Sequence, residues 1–298
     1  MTFFVSDEIA SQPECWQRAV DLAPTVATQL PEPGMRVAFV GCGTSWFMGQ
    51  VAAAWWEGQG HGEADAFTAS EYPANRPYDA LVAITRSGTT TEVLELLRNL
   101  DGGKRPRTSV LLGDQDTPAA ELADGVVDLA FADEQSVVQT RFATTVLALL
   151  RAAFGAAPAD LVDRCTEALA VPLGEGWEDA EQVTFVGTGW SIGLAHEAAL
   201  KFRESSSSWA ESYPAMDYRH GPVSIAAPGR LVWSFGTPPE GLAEQVGNTG
   251  ATFINHDLDP MADLVVAQRL AIARAIKLGL NPDQPRNLTR SVVLDPGQ

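Results

Sequence analysis

In residues 83–92, Ala-Ile-Thr-Arg-Ser-Gly-Thr-Thr-Thr-Glu, an arginine and four hydroxyl side chains follow Thr85, where an apolar strand runs into a helix. The hydroxyl groups belong to Ser87, Thr89, Thr90 and Thr91. The first N–H groups of a helix lack partners within it, and its dipole favours an anion there. With the fixed charge of Arg86, this pattern predicts a phosphate cradle. A capped helix start that binds nothing would use the same residue types.

A second group of ionisable residues follows in the second half of the chain. Glu197, Lys201 and Glu204 are spaced i, i+4 and i+7, so a helix places them on one face. His220 follows sixteen residues later, before Gly-Pro, and carboxylates near an imidazole can tune it as an acid or base. The alternative is a solvated Glu–Lys pair and an ordinary loop histidine.

The run Gly41-Cys42-Gly43-Thr44-Ser45 predicts a tight turn between a strand and a helix. It resembles a dinucleotide fingerprint only in part, because Trp46 stands where the third glycine belongs and no acidic residue ends the following strand. Hydroxyl groups at a helix start suit phosphate or sugar better than a nicotinamide cofactor. A close-packed turn without a ligand is the alternative interpretation.

The composition excludes several classes of function. The 298 residues carry 38 acidic and 20 basic side chains, a formal charge of −18, so most of the surface repels nucleic acid. The three cysteines have no metal-type spacing, and the four histidines are scattered. No apolar run approaches the roughly 20 residues of a membrane span, and the N-terminus lacks the pattern of a signal peptide. We expect a cytoplasmic protein with no metal, no cofactor and no membrane partner.

Strand and helix patterns alternate along the chain, which predicts an α/β protein with parallel, doubly wound sheets. Residues 183–191, Val-Thr-Phe-Val-Gly-Thr-Gly-Trp-Ser, repeat residues 37–45, Val-Ala-Phe-Val-Gly-Cys-Gly-Thr-Ser, and so predict two copies of one unit. The segment between the helix at 196–205 and the strand at 231–235 is predicted as an irregular polar loop. The expected divisions are a helical arm (1–34), a first domain (35–160), a second domain (161–280) and a C-terminal tail (281–298).

Taken together, these motifs resemble the double sugar isomerase (SIS) domain family, in particular the isomerase half of glucosamine-6-phosphate synthase. The resemblance covers residues 35–294 and rests on landmarks in one order. These are Gly41-Cys42-Gly43-Thr44-Ser45, Ser87-Gly88 with Thr90, Glu197-Ala198-Ala199-Leu200-Lys201, Glu204, Glu211-Ser212-Tyr213, His220-Gly221-Pro222 and Asp283-Gln284-Pro285-Arg286-Asn287-Leu288.

The resemblance implies a role for each matching residue. Glu204 matches the carboxylate that moves a proton between C1 and C2, His220 matches the imidazole that opens the sugar ring, and Glu197 and Lys201 complete the catalytic group. The implied substrate-binding residues are Cys42, Gly43, Thr44, Ser45, Thr85, Arg86, Ser87, Thr90, Val137, Gln139 and Arg290. The resemblance further implies two SIS domains, a tail that closes the active site, and a homodimer in which the segment bearing His220 reaches the neighbouring subunit's pocket.

Three departures from the family pattern bear on function. Arg290 stands where the synthase has its Schiff-base lysine, and a guanidinium is too basic to act as that nucleophile. Arg86 and Arg141 replace an amide and a lysine, and Gln139 replaces a serine, so the pocket is more cationic and differently shaped. The first predicted domain starts at residue 35, so we expect no glutamine-hydrolysing domain.

Three functions follow from this sequence. The first is aldose–ketose isomerisation of a sugar or amino-sugar 6-phosphate through a cis-enediol. The second is a deaminase or deglycase that releases ammonia or an amino acid from a 6-phosphate. The third is a sensor that binds a phosphosugar without turnover, although the presence of both Glu204 and His220 argues against it.

Overall fold

The computed structural model of this chain describes residues 3–100 and 105–294. The chain divides into two compact units, each built on its own sheet. The described residues of the first-sheet unit are 14–100, 105–134, 141–158 and 289–294. The described residues of the second-sheet unit are 3–13, 135–140 and 159–288.

The described helices and strands alternate along most of the chain. The strands are β1 (Val37–Gly41), β2 (Ala64–Thr68), β3 (Ala80–Thr85), β4 (Arg107–Leu112), β5 (Gly125–Asp128), β6 (Gln182–Gly187), β7 (Ala210–Pro214), β8 (Arg230–Phe235) and β9 (Thr252–Ile254). The helices are α1 (Phe4–Ala10), α2 (Gln12–Val26), α3 (Thr44–Gly58), α4 (Thr91–Asn99), α5 (Pro118–Leu122), α6 (Arg141–Ala153), α7 (Leu161–Ala170), α8 (Ser191–Ser206), α9 (Leu242–Gly247) and α10 (Pro260–Lys277). Among these described helices, none is both long and apolar enough to cross a bilayer.

The first-sheet unit contains a five-stranded parallel sheet in the order β2-β1-β3-β4-β5. Every residue of β1 and β3 is buried, as expected for inner parallel strands covered on both faces. Val37 pairs with Ala80 and Val40 with Ala83, so β1 and β3 end at the same edge. From β1 the chain continues to β2 on one side of β1 and then crosses to β3 on the other side. The gap between β1 and β3 is therefore the topological switch point.

The second-sheet unit repeats this plan with four parallel strands in the order β7-β6-β8-β9. Its switch point lies between β6 and β8, and α8 starts from the turn that follows β6. The parallel α/β class predicted from the sequence is confirmed.

Two elements near the predicted chemistry differ from the sequence-based expectation. Helix α8 begins at Ser191, directly after the glycine turn, and not near His196. Strand β7 lies within the segment that was predicted as an irregular loop, so that prediction is wrong for Ala210–Pro214. The sequence Ala-Glu-Ser-Tyr-Pro lacks an apolar run because β7 is an edge strand whose inner residues are only half-buried.

Candidate functional site

The two sequence motifs of the first half of the chain meet at the switch point of the first sheet. The glycine turn follows β1, and the hydroxyl-rich turn follows β3, its direct neighbour. The carboxyl ends of parallel strands at a switch point are the usual place for a ligand in an open α/β sheet. The fold therefore brings together two segments that lie about 40 residues apart in the chain.

The turn after β1 is shaped by glycine and buried hydroxyl groups. A Cβ atom on Gly41 would lie 2.6 Å from the Cβ of Ser45, so a larger residue cannot occupy this position without a backbone shift. Thr44 and Ser45 are both buried and form the first turn of α3. Burial, followed by the nearby charge of Glu92, raises the pKa of the Cys42 thiol to about 11, which keeps it protonated at neutral pH.

The turn after β3 forms a cluster of hydroxyl groups at the start of α4. Ser87 Oγ lies 3.4 Å from Thr90 Oγ1 and accepts a hydrogen bond of 3.2 Å from the backbone N–H of Thr89. Gly88 has φ +62°, and a Cβ atom there would lie 1.9 Å from Thr117 Oγ1, so only glycine fits. The Thr85 hydroxyl, on the last residue of β3, is buried and has no hydrogen-bond partner among the described residues. We call Ser87, Thr89 and Thr90 the hydroxyl cradle.

Arg86, the residue directly before the hydroxyl cradle, is buried. Its Nη1 atom lies 4.0 Å from Glu134 Oε2, and both side chains are almost completely shielded from solvent. Glu134 also accepts backbone hydrogen bonds from Arg141, at 2.9 Å, and Phe142, at 3.3 Å, at the start of α6. This carboxylate therefore balances the guanidinium charge and caps a helix N-terminus at the same time.

Residues 289–294, here called the tail segment, lie against the hydroxyl cradle. Ser291 Oγ accepts hydrogen bonds from Ser87 Oγ at 3.1 Å and from Thr89 Oγ1 at 3.0 Å. The guanidinium of Arg290 contacts both carboxylate oxygens of Asp133, at 2.5 and 2.7 Å. The carbonyl oxygen of Arg290 in turn accepts a hydrogen bond of 3.1 Å from Arg86 Nη2.

The three ionisable residues predicted to share a helix face do so on α8. Lys201 Nζ donates to Glu204 Oε2 at 2.5 Å and lies 3.4 Å from Glu197 Oε1. The side chains of Glu197 and Lys201 are 0% and 2% exposed, whereas that of Glu204 is 20% exposed. The group is therefore buried and carries two carboxylates around one ammonium, and Glu204 is its solvent-accessible member.

His220 belongs to a different element from this cluster. It ends a 3₁₀-helix, Asp217–His220, and is exposed. Among the described residues, no hydrogen bond or ion pair joins it to Glu204. Nearby, Tyr213 donates a 2.8 Å hydrogen bond to Glu211. Burial, strengthened by this bond, raises the pKa of Tyr213 to about 12, so its hydroxyl group stays protonated at neutral pH.

Val137 and Gln139, two further predicted binding residues, belong to the second-sheet unit. The backbone N–H of Val137 donates to the carbonyl oxygen of Asp283 at 3.0 Å. The Asp283 carboxylate accepts from the N–H groups of Phe4 and Val5, both at 2.9 Å. Asp283, a landmark of the C-terminal tail, thus ties residues 135–140 and the start of α1 together.

Sequence reasoning missed three residues at the cradle: Asp133, Glu134 and Ser291. The two acidic residues lie several positions before α6 and follow no periodic pattern. No local sequence signal therefore marks them as partners of Arg290 and Arg86. Ser291 directly follows Arg290, so its only sequence signal was a hydroxyl group next to an implied binding residue.

No family model matches this chain. It is similar to the glutamine–fructose-6-phosphate aminotransferase [isomerizing] of Caulobacter vibrioides, with 28% identity. That match covers 98% of this chain and 59% of the relative, so the chain spans less than two thirds of the length of that enzyme.

Solved structures share the fold over nearly the whole chain. Glucosamine-6-phosphate deaminase from Thermotoga maritima superposes with a TM-score of 0.80 and 22% identity, covering 97% of this chain and 99% of that one. Tagatose-6-phosphate ketose/aldose isomerase from Escherichia coli superposes with a TM-score of 0.77 and 20% identity, covering 99% and 97%. The protein therefore has the parallel α/β fold found in enzymes of phosphosugar chemistry.

Proposed function

We propose that this protein is a phosphosugar isomerase that interconverts an aldose and a ketose 6-phosphate, including amino sugars, through a cis-enediol. The observation that carries the proposal is the hydroxyl cradle at the switch point of the first sheet. Its hydroxyl groups and the start of α4 are the donors that a phosphoryl group needs. Arg86, whose charge Glu134 balances, adds a guanidinium next to them. A phosphate held there supplies binding energy far from the reacting carbons.

The carboxylate cluster on α8 supports the proton-transfer part of this proposal. Isomerisation requires a base that removes the C2 proton and returns it to C1. Glu204 is the member of the cluster that reaches solvent, and its contact with the Lys201 ammonium fixes the carboxylate in position. Glu197 is fully buried and so serves to neutralise Lys201 rather than to meet a substrate.

We further propose that the protein works as a homodimer and that His220 opens the sugar ring in the partner's site. The exposed position of His220, without a hydrogen-bond partner among the described residues, leaves the imidazole accessible to a second subunit. In the same proposal both halves of the chain are SIS domains, which the repeated glycine turn and the repeated sheet plan support.

A deaminase that releases ammonia from an amino-sugar 6-phosphate is the second candidate. Its support is the superposition on the Thermotoga maritima glucosamine-6-phosphate deaminase over 97% of this chain. It would use the same cradle and the same carboxylate, because loss of the amine also needs proton transfer at the carbons next to it.

A screen of hexose and hexosamine 6-phosphates in deuterated water separates these functions. NMR follows exchange of the C2 proton with solvent, and a coupled assay follows ammonia in the same samples. Exchange without ammonia supports the isomerase, and exchange with ammonia supports the deaminase. Binding of a 6-phosphate without exchange or ammonia would instead identify a phosphosugar sensor and refute both enzymes.

A further inference from the structure

A cavity of about 680 Å³ lies at the carboxyl edge of the second sheet. Its walls come from the turns after β6, β8 and β9 and from α7, all within the second-sheet unit. We call it the second-sheet cavity. Its volume falls in the range of about 300–1,000 Å³ that small-molecule sites occupy, and the carboxyl edge beside a switch point is a usual place for a ligand.

The turns around the second-sheet cavity do not repeat the hydroxyl cradle. The turn after β6 has the shape of the turn after β1, because a Cβ atom on Gly187 would lie 2.4 Å from the carbonyl oxygen of Ser191. The turn after β8 differs, since Gly236 and Thr237 are followed by Pro238 and Pro239, which lack an N–H group. This edge therefore does not offer the converging donors that a phosphate needs.

His256 lines the second-sheet cavity and is held by a buried carboxylate. Its Nδ1 atom lies 2.7 Å from Asp263 Oδ1, and Asp263 Oδ2 accepts a 2.9 Å hydrogen bond from the indole N–H of Trp233. A carboxylate that only accepts fixes the proton of a neutral imidazole on Nδ1, which leaves Nε2 as an acceptor. Nε2 has no hydrogen-bond partner among the described residues, and the side chain is 20% exposed.

Two neighbours of His256 add further acceptors to the second-sheet cavity. Asn255 Nδ2 donates to the carbonyl oxygens of Ser234, at 2.9 Å, and Gly236, at 2.7 Å, so its amide presents Oδ1 as an acceptor. The Asp257 side chain is exposed and makes no hydrogen bond or ion pair with the described part of the chain. A ligand that satisfies these three groups has to donate hydrogen bonds.

The charges around the second-sheet cavity favour a cation. Asp257 and Asp259 both line it, and Asp259 also caps the start of α10 through a 2.9 Å hydrogen bond from the N–H of Met261. Arg164 contributes a guanidinium, but its Nε atom lies 2.8 Å from Asp160, which offsets that charge. The excess of carboxylates attracts an ammonium group and repels a phosphate.

We propose that the second-sheet cavity binds a small hydroxylated amine of the amino-sugar class, without a phosphate group. Its ammonium and hydroxyl groups donate to Asp257, Asn255 Oδ1 and His256 Nε2, and the half-buried indole of Trp190 provides an apolar wall for the carbon skeleton. This inference goes beyond the proposed function and does not depend on the hydroxyl cradle.

Proton NMR of the full chain at constant pH tests the position and the ligand class. The chain has four histidines, so the His256 imidazole signals are assigned by their absence from His256→Asn. Asparagine keeps an N–H group for Asp263 but removes Nε2. Glucosamine should shift the His256 signals of the wild type, whereas inorganic phosphate should leave them in place. No shift with glucosamine, or an equal shift with inorganic phosphate, would overturn the inference.

Calorimetric titrations with glucosamine measure the contribution of the carboxylate. Asp257→Asn changes an exposed side chain and should weaken binding about three- to tenfold, through loss of a partly solvated charge-assisted hydrogen bond. Glucose, with a hydroxyl group in place of the ammonium, should bind the wild type more weakly by a similar factor. Glu244→Gln removes the same charge from an exposed position on α9 and is the matched control, which should bind as wild type does. Unchanged affinity in Asp257→Asn, or equal weakening in Glu244→Gln, would refute the assigned site.

Discussion

Replacing Lys201 with methionine should strongly destabilise the protein. The ammonium lies 3.4 Å from Glu197 Oε1 and 2.5 Å from Glu204 Oε2, and its side chain is 2% exposed. Methionine keeps the unbranched stem but removes the ammonium that both carboxylates contact. Glu204 can take up water because it is partly exposed, whereas Glu197 is fully buried, so Glu197 causes most of the loss.

The size of the effect follows from the cost of breaking a buried ion pair, about 3–5 kcal/mol when one partner is removed. Domains of ordinary stability unfold with about 5–15 kcal/mol, so this single change removes a large share. Urea denaturation followed by far-UV circular dichroism should show the midpoint falling by about 1–2.5 M, for a denaturant slope of about 2–3 kcal/mol per molar.

Lys277→Met is the matched control for this experiment. Lys277 also contacts two carboxylates, Glu178 at 3.2 Å and Asp179 at 2.6 Å, but its side chain is 44% exposed. Its loss should leave the unfolding free energy nearly unchanged, because water replaces the ammonium. The double variant Glu197→Gln with Lys201→Met should be more stable than Lys201→Met alone. Equal stability losses for Lys201→Met and Lys277→Met would refute the reasoning.

Three further predictions concern the cradle, the proposed base and the thiol. Ser87→Ala combined with Arg86→Ala should weaken phosphate binding by about 2–4 kcal/mol in calorimetric titrations, through loss of one neutral and one charge-assisted hydrogen bond; unchanged affinity would exclude the cradle. Glu204→Gln should slow C2-proton exchange about 10²–10⁴-fold, with little change in binding, whereas Glu178→Gln should exchange at the wild-type rate; full exchange in Glu204→Gln would exclude Glu204 as the base. Because the pKa of Cys42 is raised to about 11, its alkylation by iodoacetamide should be slow at neutral pH and should keep accelerating with pH beyond 9; a plateau near pH 9 would contradict the raised pKa.

Local sequence patterns were enough to predict the parallel α/β fold and the positions of the two glycine turns. The buried strands β1 and β3 appear in the sequence as short apolar runs, because both faces of an inner parallel strand are covered. Strand β7 gave no such signal, since an edge strand can carry Glu211 and Ser212 on half-buried positions. A periodic pattern of apolar residues marks a strand only where one of its faces is buried, and β7 is mostly half-buried or exposed.

The sequence by itself determined that Glu197, Lys201 and Glu204 share one face, because helix geometry fixes neighbours three and four positions apart. Only the tertiary structure decided that this face is buried, which turns an ordinary surface pair into a charged cluster. The contact of Ser291 with Ser87 joins residues 204 positions apart, and so does the hydrogen bond from Arg86 to Arg290. No local pattern encodes such pairs, because they arise from how the chain returns to the edge of the first sheet after the second sheet is complete.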